Sequence, residues 1–141
     1  MDVQFLQKLI DEITSRQADI YNIVYFYGNQ HQINTMIDVI AKKCHNRQIT
    51  RVTGSAFRDE MMQIILNGGQ STLDCDLYIF ERIEKVAGLE ANEQRLYGVL
   101  DWLLEQKKQI IITGTIPVKE IERLAPRIRA QIDGGISLYI T

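Results

Sequence analysis

The chain has 141 residues, 45% of them hydrophobic, and carries a formal net charge of −2. That length supports one domain with its own core, residues 1–141, and no shift of composition marks a second. The charge balance gives no global reason to bind nucleic acid or an anionic membrane, so any such contact has to come from a local patch.

Cys44 and Cys75 are too few for a disulfide framework and have no flanking pattern of a nucleophile, so buried thiols are the default. His31 and His45 offer no metal-ligand spacing. No apolar run approaches the roughly 20 residues that span a bilayer, and the segment Met1 to Phe5 is not signal-like. A soluble, cytoplasmic protein is expected, without membrane association.

Phe5, Leu6, Leu9, Ile10 and Ile13 recur at helical spacing, which predicts an opening helix that ends near residues 16–19. Five apolar runs follow, at 23–27, 49–53, 77–80, 110–113 and 136–140. Helical patterns separate them, at 35–45, 56–67, 92–106 and 118–131. Several runs are apolar on both faces, as strands of a parallel sheet covered on each side are. The alternation predicts an α/β fold, a doubly wound five-stranded parallel sheet sandwiched by helices. Ligands of such sheets collect at the carboxyl ends of the strands, an edge that here holds Gly28, Glu81, Thr113 and Thr115. Gly68 to Thr72 reads as a loop, and Gly134-Gly135 as the turn into the last strand.

The stretch from Tyr27 to Thr35 lies between a strand and a helix, where a nucleotide-binding chain carries its phosphate loop. In GxxxxGK[ST] the second glycine lets backbone N–H groups curl around phosphates and the lysine neutralises them. Here Ile33 takes the place of that glycine and Asn34 that of the lysine, and only Gly28 and Thr35 match. The plainer alternative is a strand-to-helix connection in which Gly28 allows a tight turn and Asn34 or Thr35 caps the helix.

Four further segments extend the match. Val52 to Phe57 with Glu60-Met61, Asp76 to Ile83, Gln109 to Pro117 and Arg127 to Ile132 follow Tyr21 to Gly28 in an order that resembles the AAA+ core of the DnaA/Hda family of bacterial replication proteins. The resemblance implies a P-loop NTPase fold and assigns degenerate nucleotide-site positions. Gly28, Ile33, Asn34 and Thr35 fall on Walker A, and Glu81 on the magnesium-linked aspartate of Walker B, with Arg82 on its acidic neighbour. Thr115 falls on the sensor 1 aspartate and Gln131 on the arginine finger. Glutamine cannot stabilise charge on a transferring phosphoryl group as a guanidinium does, and loss of one such group costs about 2.7–4 kcal/mol by analogy with an oxyanion donor. The expectation is therefore no catalytic residue, no metal, no cofactor and no enzymatic activity. Relative to the family, the chain as given also starts at the first helix and stops on the fifth strand, without the linker, the helical lid or the helix-turn-helix domain, so a nucleotide is expected to lie on an open surface.

The densest basic stretch is Lys42, Lys43, His45, Arg47 and Arg51. Phosphate contact is one reading, and complementing a helix C-terminus while facing water is the other. Glu81 and Arg82 read as a surface polar cluster or protein contact. Tyr97 and Trp102 flank the apolar stripe Leu96, Val99, Leu100, Leu103, Leu104, either as core periphery or as interface anchors. Together these features lead to the expectation of a catalytically inactive DnaA/Hda-like core that works as a protein-binding adaptor in bacterial DNA replication. The alternatives are a residual nucleotide-binding switch and a structural subunit resembling a clamp loader or helicase loader.

Overall fold

The computed structural model describes residues 3–15, 21–44, 47–59 and 75–141. In chain order the elements are α1 (Val3–Thr14), β1 (Val24–Gly28), α2 (Gln30–Lys43) and β2 (Ile49–Thr53), then α3, of which 54–59 is described. β3 (Leu77–Glu81), α4 (Glu90–Glu105), β4 (Gln109–Gly114), α5 (Pro126–Asp133) and β5 (Ile136–Ile140) complete the series. Short 3-10 turns at Ile83–Lys85 and Val118–Glu120 follow β3 and β4.

The five strands form one parallel sheet in the order β2-β3-β4-β1-β5. Side chains alternate between its faces, and each face meets helices, which is why the central strands β1, β3 and β4 are largely apolar and buried. Val24, Phe26, Leu77, Ile79 and Ile111 share one buried cluster with Leu9, Ile10 and Ile13 of α1 and Ile33, Ile37 and Ile40 of α2. On the other side Tyr25, Tyr78, Phe80, Ile110 and Ile112 pack with Leu96, Leu100 and Leu103 of α4 and Ile128 and Ile132 of α5. Cys44 and Cys75 are both buried. Arg47 closes the C-terminus of α1 by donating from Nη1 to the Ile13 carbonyl and from Nη2 to that of Thr14, each at 2.6 Å.

Two helices differ from the sequence expectation, each for a local reason. α2 begins at Gln30 rather than at residue 35. Asn29, in extended backbone, accepts the Gln32 N–H on its side chain at 3.1 Å, so Asn29 is the N-cap and neither Asn34 nor Thr35 is. Ile33, Ile37 and Ile40 then stand at i, i+4, i+7 and are all fully buried. Burying one such side chain is worth about 1.5–3 kcal/mol, more than a loop conformation at Ile33 returns.

The stretch 118–131 is not one helix. Proline lacks the N–H that a helix interior needs, so Pro126 sits at the first turn of α5, and the chain before it passes through Arg123 at φ 68°. The carboxylate of Glu93, on α4, accepts the Ala125 N–H at 2.6 Å and caps α5 from outside. Elsewhere α4 starts two residues earlier than expected, and the strands agree within one residue at each end. α1 ends at Thr14, short of the expected 16–19, and the second half of the 56–67 helix and the Gly68 to Thr72 loop lie outside the described residues.

Replacing Asn29 with alanine should lower unfolding free energy by about 1 kcal/mol in urea titrations, while Asn34→Ala should stay within about 0.5 kcal/mol of the parent. A larger loss at Asn34 would place the helix start where the loop reading has it.

Candidate functional site

Strand order reverses between β1 and β4. α2 carries the chain from β1 to β2 at one edge, and α5 carries it from β4 past β1 to β5 at the other. The crevice at the carboxyl ends of β1 and β4 is where this class of sheet receives its ligand. Gly28 and Gly114 end those strands, with Tyr27 in register with Gly114.

Gly28 has φ +117° and approaches the end of β5 so closely that a Cβ there would collide with the Ile140 carbonyl and the Tyr139 ring. The next N–H, of Asn29, donates to that same carbonyl at 2.8 Å. The glycine is thus required by the β1–β5 junction itself. Gln30 turns back into the crevice, its Nε2 donating to the carbonyls of Gly114 at 2.7 Å and Gly28 at 3.1 Å. A primary amide belonging to the protein therefore ties together the two strand ends that flank the crevice.

Because α2 starts at Gln30, the three remaining loop positions are helical. Ile33 is in the core and its N–H donates to the Asn29 carbonyl at 3.0 Å. Asn34 and Thr35 are exposed, and the Thr35 hydroxyl donates to the His31 carbonyl at 3.1 Å, one turn back.

Glu81, at the end of β3, is buried, and its partner is Arg51 of β2 rather than Arg82. Arg51 meets the carboxylate bidentately, from Nε at 3.1 Å and Nη2 at 3.0 Å, and its Nη1 reaches Asp38 of α2 at 2.7 Å. The pairing follows from register: Arg51 stands opposite Ile79, so Glu81 is two residues further along β3 on the same face. The hydrogen bond to Glu81 raises the Arg51 pKa further, against the opposing effect of partial burial, with Asp38 contributing in the same direction as Glu81. The surface polar cluster expected of Glu81 and Arg82 is thus replaced by a bridge joining β2, β3 and α2.

Arg82 contributes backbone. It adopts a left-handed conformation at φ 64° and its N–H donates to the hydroxyl of buried Thr113 at 3.1 Å. Thr115 lies just past β4 and is exposed. Gln131 is not at the crevice at all: it is half-buried against α4, its Nε2 donating to the Tyr97 carbonyl at 3.2 Å. Its neighbours turn the same way, with the Arg127 guanidinium 4.7 Å from the Tyr97 ring centroid and Arg129 Nη2 donating to the Ile121 carbonyl at 2.6 Å. Of the basic stretch, Arg47 and Arg51 are engaged internally, and Lys42 and Lys43 form the exposed last turn of α2.

The structure therefore brings Gly28, Glu81, Arg82 and Thr113 to one edge, leaves Asn34, Thr35 and Thr115 on the surface, and sends Ile33 and Gln131 into packing. Gln30 and Asp38 are residues the sequence reading did not assign, and Arg51, placed there in the basic stretch, is instead the partner of Glu81. An arginine inside an otherwise apolar strand was the available signal for Arg51, since its charge needs a nearby acid. On the opposite face Tyr25 donates to the Ile116 carbonyl at 2.7 Å, and burial, with the charges of Glu84 and Tyr27, raises its pKa.

A parallel β2-β3-β4-β1-β5 sheet with helices on both faces and a crevice between β1 and β4 defines a core of the P-loop NTPase, AAA+ type. The model of the bacterial DnaA ATPase domain matches residues 2–139, so the chain belongs to that family. It is 25% identical over 140 residues to the chromosomal replication initiator DnaA of Lachnoclostridium phytofermentans and 27% over 142 residues to that of Helicobacter hepaticus. The alignments cover 91% and 92% of this chain but 31% and 30% of those proteins, so the chain spans about a third of their length. The structure of AMPPCP-bound DnaA from Aquifex aeolicus superposes with a TM-score of 0.87 at 18% identity, covering 97% of this chain and 46% of that one, a likeness of fold.

Arg51→Met should cost about 2 kcal/mol, because it strands the Glu81 carboxylate under α2. The figure is below that for a fully buried pair because the Arg51 side chain is 35% exposed. Combining it with Glu81→Leu should recover most of the loss in chemical denaturation. A double variant as unstable as the single would mean that the charge pair is not what holds this edge.

Proposed function

We propose that this chain is a nucleotide-independent, catalytically inactive DnaA-type core that acts by binding another protein in bacterial DNA replication or its control. The observation that carries the reading is the bidentate Arg51–Glu81 contact. A guanidinium on both oxygens of the Walker B carboxylate leaves that group neutralised and without a lone-pair arrangement suited to magnesium. The remaining donor set agrees. No lysine enters the crevice from α2, the Gln30 amide holds the carbonyls at its mouth, and Gln131 faces α4. These residues do not fit a magnesium nucleotide, and no chemical step is assigned through one. Adaptor function follows from what the site lacks together with the family to which the core belongs, since a fold alone does not fix a function.

Two measurements test the reading. Excess ATP or ADP with magnesium should leave the melting temperature unchanged, whereas a ligand at 100 times its Kd adds about 2.7 kcal/mol. Hydrolysis should remain at background in the parent and in Asn34→Lys, because Ile33 and the Arg51–Glu81 contact persist. Turnover that vanishes on Thr35→Ala would overturn the proposal in favour of a nucleotide switch. Capture from the native lysate, with the bound protein identified, then names the partner.

Duplex DNA should bind weakly, without sequence preference and with steep salt dependence, since Arg47 and Arg51 are engaged within the fold. Nanomolar preference for a replication-origin duplex over a random one at near-physiological salt would replace the adaptor reading with direct DNA recognition.

A further inference from the structure

α4 contains a glycine that nothing among the described residues requires. Gly98 sits at the middle of the helix, where glycine weakens a helix relative to alanine, yet a Cβ built there meets nothing within 4 Å. Around it, one and two turns away on the same face, lie Ala91, Gln94, Arg95, Asp101, Trp102 and Glu105. All of them are exposed except Arg95, which is half-buried. Trp102 is the chain's one tryptophan and keeps 44% of its surface in water, while Leu96, Leu100 and Leu103 of the same helix are buried.

Opposite charges flank the glycine at equal distances along the stripe. Arg95 and Asp101 stand three residues either side of Gly98, Gln94 and Trp102 four, and Ala91 and Glu105 seven. We propose that α4 packs antiparallel against α4 of a second copy, on a two-fold axis through Gly98. That operator sets Arg95 of each copy against Asp101 of the other and lays the Gln94 amide over the opposing indole, every contact being made twice. A parallel arrangement would instead set Asp101 against Asp101. The missing Cβ lets the two helices approach at the crossing, where the side chains at the contact set interaxial distance. Trp102 stands one turn from the crossing, and tryptophan is enriched among the residues that anchor such contacts. The area of one helix face is small, so the dimer is weak and reversible. The inference does not depend on whether the chain binds nucleotide.

Sedimentation velocity on the full chain from about 5 to about 500 µM reads the association directly, because interfaces of this size hold in the micromolar range or more weakly. The mass should move from monomer towards dimer as the lone tryptophan's emission shifts to shorter wavelength. Gly98→Ala separates this from a structural effect, since it should raise the melting temperature and yet weaken association about tenfold. Asp101→Arg should weaken it similarly, and adding Arg95→Asp should restore it, the charges having changed places. Melting temperatures show which variants remain folded. A monomer with constant emission at every concentration, or a dimer indifferent to both Gly98→Ala and Trp102→Ala, overturns the proposal.

Discussion

The burial of Ile33 is the constraint from which the rest of the crevice follows. Placing that side chain against Val24, Phe26 and Ile79 requires the chain to be helical from Gln30 onward. From Ile33 onward the N–H groups then find partners one turn back, while that of Gln32 is taken by the Asn29 side chain. The positions that would form a phosphate loop are here the first two turns of α2, with Ile33 facing the sheet. With the loop drawn into a helix, the gap between the ends of β1 and β4 is narrow enough for one glutamine side chain to span.

Charged side chains on several elements are turned to holding the fold. Arg47 satisfies the end of α1, Arg51 joins two strands to α2, Arg129 secures the turn before α5, and Glu93 supplies the cap that α5 lacks. Each bond satisfies a backbone group or a buried charge that would otherwise be costly to remove from water. Charge that faces inward in this way is not available to a polyanion or a metal.

The sheet was legible in the sequence because its strands are apolar on both faces, and five such runs with helical spacing between them leave few arrangements. The helix starts were less so. Asn29 and Thr35 are both acceptable caps by type, and choosing between them requires knowing that Ile33 faces the sheet, a tertiary fact. The break before Pro126 was signalled by the proline itself, but apolar residues at 121, 124, 128 and 132 keep helical spacing across it and conceal the turn. For the site, the absence of lysine, aspartate and arginine at the expected positions was visible residue by residue. What replaced them was not, since the Arg51–Glu81 contact depends on which strands are neighbours and in what register.

The cap that Glu93 provides also bears on how the fold assembles. α5 is an eight-residue helix, too short to persist alone, and the carboxylate that answers its first free N–H belongs to a residue 32 positions earlier in the chain. Its order is borrowed from α4. The last helical segment is therefore coupled to α4, and the two helices should open and close as one cooperative block.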